Sequence, residues 1–397
     1  MVRALALCSA MAFVLASPAA SAGGLAPIPK KPPPASDGSS GSFDGQFGAG
    51  TDLVWFNTDT GQVWSEASGG YVAFTVPYKV ATWNNQTFNA YNFTDITVEP
   101  TVALTIYGSE PAMFLASQNV SFSGQFTIAA AAGAGGAAPN PNDPPYDGGT
   151  GTSADGRAGG LGGDGASGQV EGAGCSEGYT GGGGGGGGNV GAGGKGLRGD
   201  YPVDGPPPPI HNPGGKAGSA EKTTVLQGGG GGGAGGGGYL NGNFWGWPGA
   251  NGGGAVVIAA NSGSIDIAAG ASITASGATG SANGEDTGKS GGGAGGDEWF
   301  YAGGSFTNDG TLSASGGPGG TSTYVSGCVK PKKIKGPDGG DGAGGNVAVQ
   351  SADIANRGVI TVSAGGDAAD EGSVVYVGHV TQAGHVVGAQ PVTYPRE

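Results

Sequence analysis

The sequence predicts an all-β chain: a right-handed β-solenoid with a polyglycine II-like Gly-rich insertion and a small N-terminal β unit. Three observations predict it. There are 93 Gly and 25 Pro among 397 residues, against roughly 12% for the two types together in globular proteins. Glycine costs about 1 kcal/mol relative to Ala inside a helix and proline about 3, so helix is excluded. Short β-branched and aromatic segments bounded by Gly, Asn, Asp and Pro recur along the chain, which is the composition of strands. Glycines also fall at a spacing of three in several rows, the period of the left-handed polyproline II helix, where every third residue lies on one face. Disorder is excluded as well, because 37% of residues are hydrophobic and only 12% charged, too apolar for a chain that stays unfolded.

Read in order, residues 1–22 form a secretory signal peptide: Arg3, an apolar run from Ala4 to Leu15, then Ala20-Ser21-Ala22. Cys8 leaves with it, since a lipobox at Leu5-Ala6-Leu7-Cys8 would lack an apolar segment ahead of the cysteine. No apolar stretch is long enough to span a bilayer, so the mature chain is expected to be secreted or at the cell surface, with no membrane span. Residues 23–42 are a Pro/Ser/Gly linker with polyproline character. Residues 43–128 are the N-terminal β unit, with strands at Leu53–Phe56, Tyr71–Val76 and Val102–Tyr107. The remaining cysteines, Cys175 and Cys328, are a disulfide candidate in an oxidising compartment or two separate thiols in different loops.

Residues 129–253 are the Gly-rich region. The glycine rows are Gly156, Gly159, Gly162, Gly165 and Gly168; Gly193, Gly196 and Gly199; and, further on, Gly336, Gly339, Gly342 and Gly345. The positions between them hold little Pro and the rows are short, so a collagen triple helix is not expected. A bundle of polyglycine II-like helices within one chain can pair its N–H and C=O groups between neighbours, which buried backbone requires. A flexible linker is the competing reading, above all at 181–188 and 228–238.

Residues 254–378 are expected to hold solenoid repeats with Gly-rich excursions, followed by a polar tail over 379–397. Ile273-Thr274-Ala275-Ser276-Gly277, Leu312-Ser313-Ala314-Ser315-Gly316 and Ile360-Thr361-Val362-Ser363-Ala364-Gly365 share one pattern, with Phe126-Thr127-Ile128-Ala129-Ala130 as a looser copy. Three are preceded by a further apolar alternation: Ser264–Ile267, Val120–Ser123 and Val347–Val349. Single copies cannot bury their apolar faces, whereas stacked copies can; a β-sandwich is the alternative arrangement. The run from Val256 to Gly277, alternating apolar strands with Gly tracts, resembles glycine-rich secreted bacterial surface proteins built on β-helix rungs. The Gly tracts broken by aromatic loops also look like the polyglycine II bundles of phage tail-fibre tip adhesins. That second resemblance implies variable loops at the bundle ends that touch a receptor. The signal peptide departs from the phage case and favours a bacterial surface role.

Chemistry is sparse. The formal net charge of −14 opposes a phosphate-rich partner, so no nucleic acid is expected. His211, His379 and His385 are the histidines, and no metalloprotease, nucleophile-elbow or P-loop motif occurs. Gly160–Ala166 and Asp338–Ala343 echo a calcium-binding nonapeptide only loosely and not in tandem. No catalytic residue, metal or cofactor is expected. The binding candidates are aromatic: Tyr239, Phe244, Trp245 and Trp247 in one interruption of a Gly tract, Trp299 and Tyr301 in another. Glycine shafts offer nothing to bury such rings, so these either cap the bundle or face solvent, where they would meet a surface glycan, a protein receptor or another copy. The expected function is thus a structural protein, adhesin or extracellular assembly subunit acting through aromatic loop tips. A polysaccharide-acting β-helix enzyme is the alternative, because such enzymes use scattered carboxylates. An ice- or mineral-binding face would need a flat threonine ladder, for which Thr274, Thr311 and Thr361 are too few.

Overall fold

The period-two alternations at Val120–Phe122, Ile265–Ile267 and Val347–Val349 fall on strands. The computed structural model describes residues 31–44, 53–67, 70–138, 149–152, 184–189, 191–197, 199–200, 211–212, 215–219, 225–235, 238–240, 243–245, 247–281, 289–321, 324–326, 333–335, 338–382 and 384–396, and among them there is no helix. The protein is all-β. The first strands are β1 (Phe43–Asp44), β2 (Leu53–Asn57), β3 (Gln62–Ala67), β4 (Gly70–Thr75), β5 (Tyr78–Trp83), β6 (Gln86–Phe93), β7 (Ile96–Val98), β8 (Ala103–Tyr107), β9 (Ala112–Ala116), β10 (Val120–Phe122) and β11 (Gln125–Ile128). Short strands within the Gly-rich region are β12 (Gly199–Asp200), β13 (His211–Asn212), β14 (Gly238–Leu240) and β15 (Asn243–Trp245). Then come β16 (Ala255–Ala260), β17 (Ile265–Ile267), β18 (Ser272–Thr274), β19 (Asp297–Asn308), β20 (Thr311–Ser313), β21 (Tyr324–Ser326) and β22 (Lys333–Lys335). The last are β23 (Asn346–Asn356), β24 (Val359–Thr361), β25 (Ser373–Gln382), β26 (His385–Val387) and β27 (Val392–Tyr394).

Two mixed sheets result, of twelve and nine strands, and most of their pairing is parallel. One parallel ladder in the large sheet runs β6–β9–β16 and on through the first halves of β19, β23 and β25 to β27. A second runs β1–β7–β10–β17 and on through the second halves of β19, β23 and β25. The nine-stranded sheet holds the third, β2–β8–β11–β18–β20–β24–β26. Antiparallel β3–β4 and β5 finish the two sheets at the N-terminal side. Strands before residue 128 pair directly with strands after 254, so the sheets run across that stretch of sequence. Where a polar tail is expected, β25 runs on to Gln382 and β26 and β27 follow.

Register stacks like on like. Phe126, Ile273, Leu312 and Ile360 stand side by side in the third ladder, as do Val120, Ile265, Phe306 and Ile354 in the second. The alternation Val347–Val349 does not belong with Ile265–Ile267: Val347 stands beside Glu298 in the first ladder, and Ile354 is the partner of that second row. Nearly all of these side chains are fully buried in one apolar cluster, each contributing roughly 1.5–3 kcal/mol on burial. A buried Asn308–Asn356 pair, Nδ2 donating to Oδ1 at 2.8 Å, closes the polar end of the second row. The outward face of the first ladder carries a second cluster, Met113, Leu115, Val257 and Trp299, covered by Trp83 and by Leu226 from the Gly-rich region. Gln86 clamps that cover by exchanging two hydrogen bonds with the Leu226 backbone.

The Gly-rich stretches leave from the ends of third-ladder strands and return into the starts of first-ladder strands: 275–281 follows β18, 289–296 leads into β19, 314–320 follows β20 and 338–345 leads into β23. Their backbone groups are paired between stretches with a period of three. In 289–296, Gly291 and Ala294 donate to 228–235, Gly292 and Gly295 to 338–345, Gly293 and Gly296 to 275–281. Its carbonyls accept in the same rotation from 247–253, 184–188 and 314–320. The sequence row Gly339, Gly342, Gly345 donates along a single neighbour, to Gly320, Gly317 and Ala314, and Gly193 and Gly196 donate to Gly218 and Gly215. At Gly292 the spacing admits no side chain: a Cβ there would overlap the carbonyl of Gly317. The Gly156–Gly168 row lies outside the described residues.

Candidate functional site

Among the described residues, three antiparallel strand pairs interrupt the Gly-rich stretches. β14–β15 pairs Tyr239 with Phe244 and Gly238 with Trp245; β12–β13 pairs Asp200 with His211; β21–β22 pairs Val325 with Ile334. The backbone bonds give their place. Gly235 donates to Trp247 at the foot of β14–β15, Leu197 to Asp338 beside β12–β13, and Gly339 to Gly320 at the foot of β21–β22. Gly291 donates to Gly233 and Gly320 to Ser290, so these feet lie at one level. All three hairpins therefore stand at the end of the stretches remote from the ladders.

Four of the aromatic candidates belong to the first hairpin or its foot. Tyr239 is on β14, Phe244 and Trp245 on β15, and the side chains of these three lie outside the described residues. Trp247 is half-buried at the foot, with its indole Nε1 shut off from solvent and without an acceptor among the described residues. Cys175 and Cys328 lie outside the described residues, as does the Gly160–Ala166 calcium echo. Asp341, in the second echo, accepts from the Gly319 N–H at 2.9 Å and so serves the backbone of the bundle. No three His, Cys, Asp or Glu side chains gather as a metal site among the described residues.

Trp299 and Tyr301 do not share that place. Asp297–Tyr301 opens β19 rather than forming a loop, and alternation sends Trp299 outward and Phe300 into the main core. Trp299 is 4% exposed and meets Trp83 edge to face, ring centroids 5.6 Å apart. Its Nε1 is buried without an acceptor among the described residues. Tyr301, half-buried one alternation further, receives a hydrogen bond on its hydroxyl from Arg396 at 3.2 Å, and the Arg396 guanidinium lies 5.7 Å from its ring centre. Pro33, Trp83, Trp299, Tyr301 and Gln350 line a small crevice here. Trp83, Pro33 and Gln350 were not candidates on sequence grounds: one Trp in a strand edge and one Pro in a linker carry no local signal.

The most perturbed ionisable groups lie where strand meets glycine. Asp297 is completely buried, its carboxylate accepting from the Gln227 N–H at 3.0 Å and from Asn189 Nδ2 at 3.3 Å. Asn189 is fixed in turn by donating to the Gly295 carbonyl and accepting from Gln227 Nε2. Glu298, on the opposite face, accepts from the Ala275 N–H at 3.0 Å, and its Oε2 is without a partner among the described residues. Burial pushes the Asp297 carboxyl up to about 7 and the Glu298 carboxyl up to about 8. Consecutive strand residues point apart, so the two acids cannot converge on one reacting group. Two adjacent acids inside an aromatic strand were the available sequence signal. No protein family matches the chain, and neither a curated protein nor a solved structure does.

Proposed function

We propose that the protein is a secreted or surface-exposed adhesin or extracellular assembly subunit, a β-solenoid that carries a polyglycine II bundle and binds through the hairpins at the bundle's far end. The observation that carries this reading is the gathering of β12–β13, β14–β15 and β21–β22 at one end of the Gly-rich stretches. A rigid shaft with short hairpins at its tip holds a binding surface away from the body, and aromatic residues such as Tyr239, Phe244 and Trp245 provide large contact area at low entropic cost. Lys333 and Lys335 on β22 add positive charge to that end of an acidic chain. The solenoid reading is supported by three parallel ladders with like residues in register, and its right-handedness by the general rule for parallel crossovers. The polyglycine II reading is supported by the three-residue rotation of hydrogen bonds. The opposed, buried Asp297 and Glu298 do not favour the polysaccharide-cleaving alternative.

Attachment of the mature chain to cells, immobilised glycans and itself tests the proposal with Tyr239→Ala/Trp245→Ala. The expected result is an unchanged melting temperature with attachment reduced by about tenfold or more, the scale of a lost hot spot. A folded variant that attaches as the parent does would overturn the reading.

A further inference from the structure

The stretch 31–36 is seated on the body, although its composition reads as a linker. The Lys31 carbonyl accepts from Trp83 Nε1 at 3.0 Å, and the Pro34 carbonyl accepts from Asn261 Nδ2 at 3.3 Å. Ser36 completes the anchoring, its N–H donating to Asn261 Oδ1 and its hydroxyl to the Phe93 carbonyl. Residues 31 and 34 are one turn apart in a polyproline II helix, which has three residues per turn, so both carbonyls face the body. Pro33 between them is buried in the crevice beside Trp83 and Trp299. An indole donating to a carbonyl of a proline-rich segment, with a proline ring set against aromatic faces, is the general chemistry by which aromatic grooves recognise polyproline II ligands. Proline carbonyls are good acceptors, and the pre-formed helix loses little entropy on docking. Trp299, Tyr301 and the half-buried Gln350 complete the lining of the crevice.

We infer that the Trp83–Trp299–Tyr301–Gln350 face is a recognition groove for proline-rich polypeptide in the polyproline II form, with this chain's own Lys31–Pro34 as its resident occupant. A proline-rich strand from another polypeptide competes for the same face. This holds or fails independently of the hairpin tips, which lie on another part of the molecule.

The test uses the mature chain, with a synthetic peptide of the sequence Pro27–Ser36 as probe and the indole N–H resonances of Trp83 and Trp299 as readout. A tethered segment competes at an effective concentration of about millimolar. The parent should therefore respond only weakly, whereas Pro32→Ala/Pro33→Ala/Pro34→Ala should bind the peptide at least about tenfold more tightly. A peptide of the same composition with its prolines dispersed should not shift either resonance. If the triple variant does not fold, Pro33→Ala alone is titrated, with the same ordering expected. Equal response of parent and folded variant to the peptide, equal response to the dispersed control, or shifts confined to other tryptophans would overturn the inference.

Discussion

The ladders and the Gly-rich stretches are held by opposite means. In the ladders the centre is made of side chains, with Phe306, Ile273 and Leu312 each sealed from water and backbone groups paired within sheets. In the stretch 291–296 the centre is largely backbone, each N–H bonded in rotation to one of three neighbouring stretches. The first kind of core tolerates exchange of one apolar group for another of similar volume. The second tolerates no addition at glycines such as Gly292, where a Cβ would meet a neighbouring carbonyl, because the spacing there is set by hydrogen-bond length rather than by side-chain size.

That difference is broken most severely by Gly292→Val. The new side chain would collide with the Gly317 backbone, which cannot swing aside as a side chain can. A loss above about 4 kcal/mol is expected, in the range reserved for severe steric defects, read as a collapse of the melting temperature. Gly270→Ala is the matched control: a Cβ there meets open space, and only its positive φ of 88° should cost about 1–2 kcal/mol. Next comes the side-chain core, where Phe306→Ala should cost about 3–5 kcal/mol in denaturant unfolding. If Gly292→Val proved the milder of the two, backbone packing would not be the stricter constraint.

The seam between the regions should respond to pH. Both acids there ionise near 4 when unfolded, but at about 7 and about 8 when folded. The folded state thus holds their protons more tightly, and the stabilisation is complete below about pH 4 and lost as pH rises through 7 and 8. Melting temperature should fall from pH 5 to pH 9, and Asp297→Asn/Glu298→Gln should flatten the profile. The smallest effect belongs to the exposed Arg357–Asp309 pair, bonded at 2.6 and 2.7 Å across the second ladder. Arg357→Ala should barely move the melting temperature, since solvent and salt screen such a pair.

Strand register was legible because its signal is local. The Ile273, Leu312 and Ile360 motifs repeat the same short pattern, and the structure sets those residues side by side. The period-three glycines were legible for the same reason, Gly339, Gly342 and Gly345 all facing one neighbour. Long-range facts were not. Trp299 reads as part of an aromatic loop, yet it is a covered strand residue because Trp83, distant in sequence, lies over it. Glu298 carries no local sign of burial, yet the chain around Ala275 encloses it. Pro33 could not be placed at all, since proline composition describes a conformation and not what it leans on.

The interleaving of the glycine stretches also imposes an order of events. Gly184 accepts from Gly340, and Ala343 donates to Gly187, so the bundle's early passes wait for partners that emerge from synthesis much later. Until residues 338–345 arrive, the passes around 184–188 lack bonds that define their place, and contacts of such long sequence separation are slow to form. The ladders can grow strand by strand as the chain emerges, but the bundle closes only near the end. A chain cut short before residue 338 would hold an intact start to its sheets and an open shaft.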